Sequence, residues 1–175
     1  VSRLDKQQAM LWFLMGYTSK LAGTETGVVE PEATFSRFFG QPFMPARPHV
    51  YASMLGKKME EHNTRVFLVN TGWTGGSFGT GKRIDLKMTR AMVNAALTGA
   101  LDNVEYQENP LFHLSIPCTC PLVPHTILDP KNTWSDKRKY DETAALLAGK
   151  FKAHFDKAYG GQEIDPAVAA QCPGK

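Results

Sequence analysis

Between Val69 and Arg90 the chain reads VNTGWTGGSFGTGKRIDLKMTR, with glycines at 72, 75, 76, 79 and 81. Glycine at this density loses too much conformational entropy to run as helix or regular strand, so the segment must be a loop. It follows Arg65 to Val69 (RVFLV), which is short, apolar and β-branched, as a buried strand would be. A glycine loop leaving such a strand can converge backbone N–H groups on a phosphate. Gly76 to Lys82 even has the spacing G-x-x-x-x-G-K. Two features oppose a true P-loop. Arg83 stands where Ser or Thr would coordinate magnesium, and Ile84, Leu86 and Met88 alternate with Arg83, Asp85 and Lys87 like a strand. Without a helix directly after the loop, the N-terminal dipole that favours phosphate is missing. A structural glycine turn fits better than a P-loop.

The rest of the chain alternates helical and strand patterns, as in an α/β fold with a mixed sheet and flanking helices. From Asp5 to Lys20, Met10, Phe13, Leu14, Tyr17 and Leu21 fall at helical spacing, with Gly23 as the stop. Gly23 to Thr34 (GTETGVVEPEAT) has no hydrophobic period and reads as a mobile loop. Pro48 opens a second helix whose stripe is Val50, Tyr51, Met54, Leu55, Lys58 and Met59, ending near His62 and Asn63. Thr89 sits at a strand-to-helix junction. The helix Arg90 to Thr98 carries Met92, Ala95 and Ala96 and closes at Gly99.

A strand is predicted over Leu111 to Ile116 between Pro110 and Pro117. The last long helix begins near Ser135 and presents Tyr140, Ala144, Leu147, Phe151, Phe155 and Ala158 until Gly160-Gly161. Residues 162–175 read as a loose tail. One domain without a linker is expected, with no internal repeat.

Several separated segments, taken in order, carry a more specific signal. Tyr17 to Glu25 (YTSKLAGTE), Asn70 to Trp73 (NTGW) with Gly79 to Ile84 (GTGKRI), and Ile127 to Thr133 (ILDPKNT) resemble the ATP-dependent phosphoenolpyruvate carboxykinases. The similarity runs from Val1-Ser2-Arg3-Leu4 to the helix ending near Tyr159. It implies that residues 1–161 are part of the C-terminal, nucleotide-binding carboxykinase domain of a longer protein. It also implies an enzyme that decarboxylates oxaloacetate and phosphorylates the resulting enolate with ATP, giving phosphoenolpyruvate, ADP and carbon dioxide, with the help of divalent cations (Mg2+ and Mn2+). The family's phosphate-binding loop, metal ligands and oxaloacetate-binding arginine precede the matching part. No catalytic residue and no metal ligand is therefore assigned here.

The resemblance assigns nucleotide contacts to Arg83, Ile84 and Thr89. The residue types agree: a guanidinium stacks on a base or offsets phosphate charge, an isoleucine packs on the base, and a hydroxyl directs one hydrogen bond. The alternatives are a surface arginine, a core isoleucine and a capping threonine. Residues from about 17 to 34 match the family's lid, with Lys20, Leu21, Ala22, Gly23, Thr24 and Glu25 at its centre. A lid would keep water from an enolate that it would otherwise protonate to pyruvate. Phe43, in GQPF, matches a position lining the oxaloacetate pocket, although a phenylalanine beside Phe38 and Phe39 is more often simply core.

Composition narrows the remaining classes. The chain is 42% hydrophobic and 21% charged, a balance that excludes disorder, and its net charge of +3 is dispersed, which argues against nucleic acid. The longest apolar run, Met10 to Met15, is too short for a membrane span. His113, Cys118, Cys120 and His125 could supply a zinc set, but Cys-x-Cys between Pro117 and Pro121 lacks ligand spacing, and buried free thiols fit better. His49, His62 and His154 have no partner at ligand spacing and read as surface or satisfied histidines. Three sparse cysteines indicate a reducing cytoplasm, and the C-terminus, Cys-Pro-Gly-Lys, is not a peroxisomal signal. The start at Val1 reads as a piece of something longer. As an independent chain, the alternative would be a non-catalytic nucleotide-binding or interaction module.

Overall fold

The structure, a computed structural model, describes residues 1–20 and 29–175. In chain order its elements are β1 (Ser2–Leu4), α1 (Lys6–Met15), β2 (Tyr17–Lys20), β3 (Glu32–Phe35), α2 (Pro48–His62), β4 (Val66–Leu68), β5 (Trp73–Thr74) and β6 (Lys82–Arg83). There follow α3 (Leu86–Leu97), β7 (Tyr106–Asn109), β8 (Leu114–Pro117), α4 (His125–Leu128), α5 (Pro130–Thr133), α6 (Lys137–Tyr159) and α7 (Pro166–Ala169). The fold is mixed α/β. Two compact units form, Val1–Leu4 with Val66–Leu146 and Asp5–Arg65 with Leu147–Lys175. The sequence shows no linker because the boundaries fall at element junctions and inside α6.

In the first unit, β4, β1, β8 and β7 lie side by side in an antiparallel sheet. Register pairs Ser2 with Leu68, Arg3 with Ser115 and Tyr106 with Pro117. The Arg3 guanidinium lies 4.2 Å from the Tyr106 ring centre, and the Tyr106 hydroxyl donates to the Leu101 carbonyl at 2.7 Å. The core gathers Met92, Ala95, Leu101, Cys120, Val123 and Leu128, with Phe67, Ile84 and Ile116 packed against it.

Two sequence expectations change in this unit. The strand expected over 111–116 is confined to Leu114–Pro117, with 111–113 in a turn, and is the second arm of a hairpin, β7–β8, whose first arm YQEN is too polar to show as a strand. The alternation from Ile84 to Met88 is not a strand. Asp85 is an N-cap whose carboxylate accepts the Lys87 N–H at 2.7 Å, and α3 starts at Leu86. A good cap overrides a three-residue alternation, which carries little information. Thr89 is therefore neither a cap nor a junction residue. It lies in the first turn and a quarter of α3, and its N–H donates to the Asp85 carbonyl.

In the second unit α1 is buried nearly all round, as a central helix must be. Ala9, Met10, Leu11, Trp12, Leu14 and Met15 are all core. Its start is a capping box: the Asp5 carboxylate accepts the Gln8 N–H at 2.7 Å, and the Asp5 N–H donates to the Gln8 side chain at 3.0 Å. Its end comes earlier than the periodicity suggests. Gly16 takes the left-handed conformation (φ 54) and sends its N–H to the Trp12 carbonyl. Any Cβ at Gly16 would overlap the Ser36 carbonyl oxygen. Tyr17 to Lys20 then pair antiparallel with Glu32 to Phe35, so the predicted helix 5–20 and the far end of the predicted loop 23–34 form a hairpin.

The α2 boundaries match the sequence expectation, with Pro48 in the first turn and Asn63 left-handed at the end. Its buried face is a different one, Ala52, Gly56 and Met59, while Met54 is exposed. The reason is close helix packing: a Cβ at Gly56 would lie 2.7 Å from the Met10 sulfur on α1. The predicted loose tail is also packed. Asp165 caps α7 by accepting the Ala167 N–H, and Val168, Cys172 and Pro173 are buried. Small apolar residues scattered among Gly and Pro gave no period from which to read this.

Candidate functional site

The glycine-rich segment folds as a hairpin. Trp73 pairs with Arg83 and Thr74 with Lys82. Gly75, Gly76 and Gly79 hold positive φ in the turn, and a Cβ at Gly81 would collide with the backbone carbonyls of Gly76 and Thr74. The Gly81 N–H donates to the Ser77 carbonyl at 2.7 Å. Lys82 thus sits in a strand. A P-loop lysine sits at the entry to a helix, so the motif fails here on its local structure. The sequence argument against it reached the right conclusion by a wrong intermediate step, since a helix does follow, beginning at Leu86.

A second segment braces this hairpin. Asp129 caps α5 by accepting the Lys131 N–H at 3.1 Å, which presents Thr133 to the turn. The Thr133 hydroxyl donates to the Pro130 carbonyl at 2.7 Å and accepts both from the Thr74 hydroxyl, at 2.9 Å, and from the Gly75 N–H, at 3.0 Å. One donor and two lone pairs are all used. NTGW, GTGKRI and ILDPKNT, far apart in sequence, therefore meet in one place in the first unit.

The three residues assigned to the nucleotide differ in setting. Arg83 is exposed, and its guanidinium stands 5.6 Å from the Trp73 ring centre; Phe78 meets the same ring edge-on at 5.5 Å. The exposed guanidinium beside the indole could receive a planar or anionic group. Ile84 donates its N–H to the Gly72 carbonyl at 2.9 Å, and its side chain packs on the core. Thr89 is half-buried on α3. Trp73 and Thr133 were not singled out as individuals from the sequence, although each lies within a quoted motif. Only the cross-strand register shows Trp73 as the partner of Arg83.

The remaining assignments fall in the second unit. Lys20 ends β2, while Leu21, Ala22, Gly23, Thr24 and Glu25 lie outside the described residues. Phe43 closes a short 3-10 turn and is 85% exposed, so it is not core; Phe38 takes that place, between Phe13 and Tyr51. Cys120 and Cys172 are buried free thiols and Cys118 is half-buried. Burial pushes the Cys120 thiol up, which suits a packing role in the first unit's core. Among the described residues no three His, Cys, Asp or Glu side chains gather as a metal site, and no helix is long and apolar enough to cross a membrane.

Comparison with known proteins places these features. Residues 1–126 match the family described as phosphoenolpyruvate carboxykinase. The chain belongs to this family. A relative named phosphoenolpyruvate carboxykinase (ATP), from Caldanaerobacter subterraneus subsp. tengcongensis, is 59% identical over 157 residues, covering 90% of this chain and 30% of the relative. Two further relatives of the same name are each 57% identical. The one from Geobacillus thermodenitrificans aligns over 168 residues (96% of this chain, 31% of the relative), and the one from Bacillus subtilis over 157 residues (90% and 30%). The chain thus spans about a third of the length of the curated relatives it matches.

Proposed function

We propose that this chain is the nucleotide-contacting portion of an ATP-dependent phosphoenolpyruvate carboxykinase, active only with the remainder of its polypeptide. The reaction removes carbon dioxide from oxaloacetate, and the enolate oxygen attacks the γ-phosphorus of ATP, with ADP leaving. The observation that supports a nucleotide role is the braced hairpin, in which three family segments converge and Arg83 stands over Trp73. Arg83 would bear on the base or the phosphates, Ile84 would back the base from the core, and Thr89 would give one hydrogen bond. The part of the chain from about 17 to 34, centred on Lys20 to Glu25, would be the lid, and Phe43 would face the oxaloacetate pocket.

The divalent cations belong to residues outside this chain, and no step is assigned here to a cation ligand. Free thiols throughout favour a cytoplasmic protein. A coupled assay tests the reading. A protein of the relatives' full length that contains this chain is expected to release phosphoenolpyruvate only with ATP, oxaloacetate and a divalent cation together. The 175 residues alone are expected to release none, because proximity and charge stabilisation of the transferring phosphoryl need groups they lack. Release by the 175-residue chain, or none by the longer protein, would overturn it.

A further inference from the structure

The hairpin β2–β3 is seated on α6 by an aromatic cluster within the second unit. Tyr17 lies 5.4 Å from Phe35 across the hairpin, and both rings meet Phe151 of α6 at 5.0 Å. One turn along α6, His154 stacks face to face on Phe35, with ring centres 4.3 Å apart and planes 11° from parallel. The sequence suggests a surface or satisfied histidine. Instead, the Nε2 atom of His154 is buried and has no hydrogen-bond partner among the described residues. We propose that His154 is a positioning residue: as a neutral ring it seats Phe35 and so holds the β2–β3 hairpin against α6, and its protonation releases that hairpin.

The chemistry is that of a proton with nowhere to go. A protonated imidazole carries a donor at both nitrogens, and a donor on Nε2 would be buried without an acceptor among the described residues. Among the described residues the charged groups bearing on His154 are Arg37, from the turn after β3, and Lys157, from α6 itself, and both are cations. Tyr17, from β2, is the other titratable group of the cluster, and burial holds its phenol neutral. Desolvation first, then these two cations, lower the His154 pKa below its ordinary 6.5. For a lowered histidine the open hairpin binds the proton more readily than the closed one. The seating is therefore intact above about pH 6.5 and weakens as pH falls from there toward the closed-state value.

The consequence for turnover rests on the lid reading, since the hairpin flanks the segment assigned to the lid, but the clamp itself does not. Hydrogen exchange on the complete protein, corrected for intrinsic rates between about pH 5 and pH 8, reads opening of 17–20 and 32–35 directly. Opening is expected to grow as pH falls, by up to about tenfold per unit, while the β7–β8 hairpin stays level. His154→Phe keeps the stack without the proton and is expected to flatten the dependence. An unchanged dependence in that variant, or a level wild type, overturns the clamp. Should the variant not fold, the wild-type imidazole titration by NMR decides: a midpoint below 6.5 supports the clamp and one at or above it removes it. The expected exchange with turnover unaffected below pH 6.5 would keep the clamp and count against the lid.

Discussion

The Tyr159 hydroxyl donates a 2.5 Å hydrogen bond to the Leu14 carbonyl, across 145 positions of sequence. Leu14 lies in the last turn of α1, where carbonyls have no partner within the helix. The end of α6 thus satisfies the end of α1 inside a buried site. Tyr159→Phe leaves that carbonyl without a partner and is expected to cost about 1–3 kcal/mol. Urea denaturation should show a lower midpoint at unchanged slope.

Two glycines in helices should respond in opposite ways. Gly149, exposed on α6, has open space where a Cβ would go, and Gly149→Ala should stabilise by about 1 kcal/mol through helix propensity. Gly56→Leu would drive a side chain into Met10 and should destabilise by about 1–3 kcal/mol. Thermal melts of both variants beside wild type check the sign of each.

Thr133→Val removes a hydroxyl that serves three partners and leaves the Gly75 N–H unpaired. The expected cost is about 1–2 kcal/mol, with faster hydrogen exchange at 73–76 and 81–83 than elsewhere in the first unit. Uniform exchange would mean that α5 does not brace the hairpin.

Arg83→Ala in the complete enzyme should raise the KM for ATP by about 5- to 150-fold, the equivalent of 1–3 kcal/mol, with a much smaller change for oxaloacetate. Arg83→Lys keeps charge but loses the plane and should recover only part of the loss. Steady-state kinetics showing an unchanged ATP constant and a weakened oxaloacetate one would remove the nucleotide assignment.

Burial pushes the Cys172 thiol up to about 11 from an ordinary 9.0. A raised pKa means that the unfolded chain loses the proton first, so stability is full below about pH 9 and is lost as pH rises toward 11. The residue is fully buried, and the loss should reach roughly 2–3 kcal/mol. Cys172→Ala should flatten this alkaline limb in denaturation measured at successive pH values.

What the sequence determined by itself was local or motif-borne. The glycine turn, the α2 boundaries at Pro48 and Asn63, the core face of Met92 and Ala95, and the aromatic stripe of α6 each follow from spacing or from residues with a fixed backbone preference. The family, too, was legible, because several short motifs in order are specific where one is not. Tertiary structure decided what depends on partners distant in the chain. The α1 helix stops at Gly16, left-handed and too close to Ser36 to carry a Cβ, and α2 turns Gly56 inward where Met10 lies against it. The tail is held because Val168 and Cys172 find a core. Arg83 gains Trp73 through cross-strand register, and Thr133 gains Thr74 and Gly75 through a fold that brings positions 58 and 59 residues apart together. Spacing along the chain reports which residues share a face, but the surface that face meets is set by the rest of the fold.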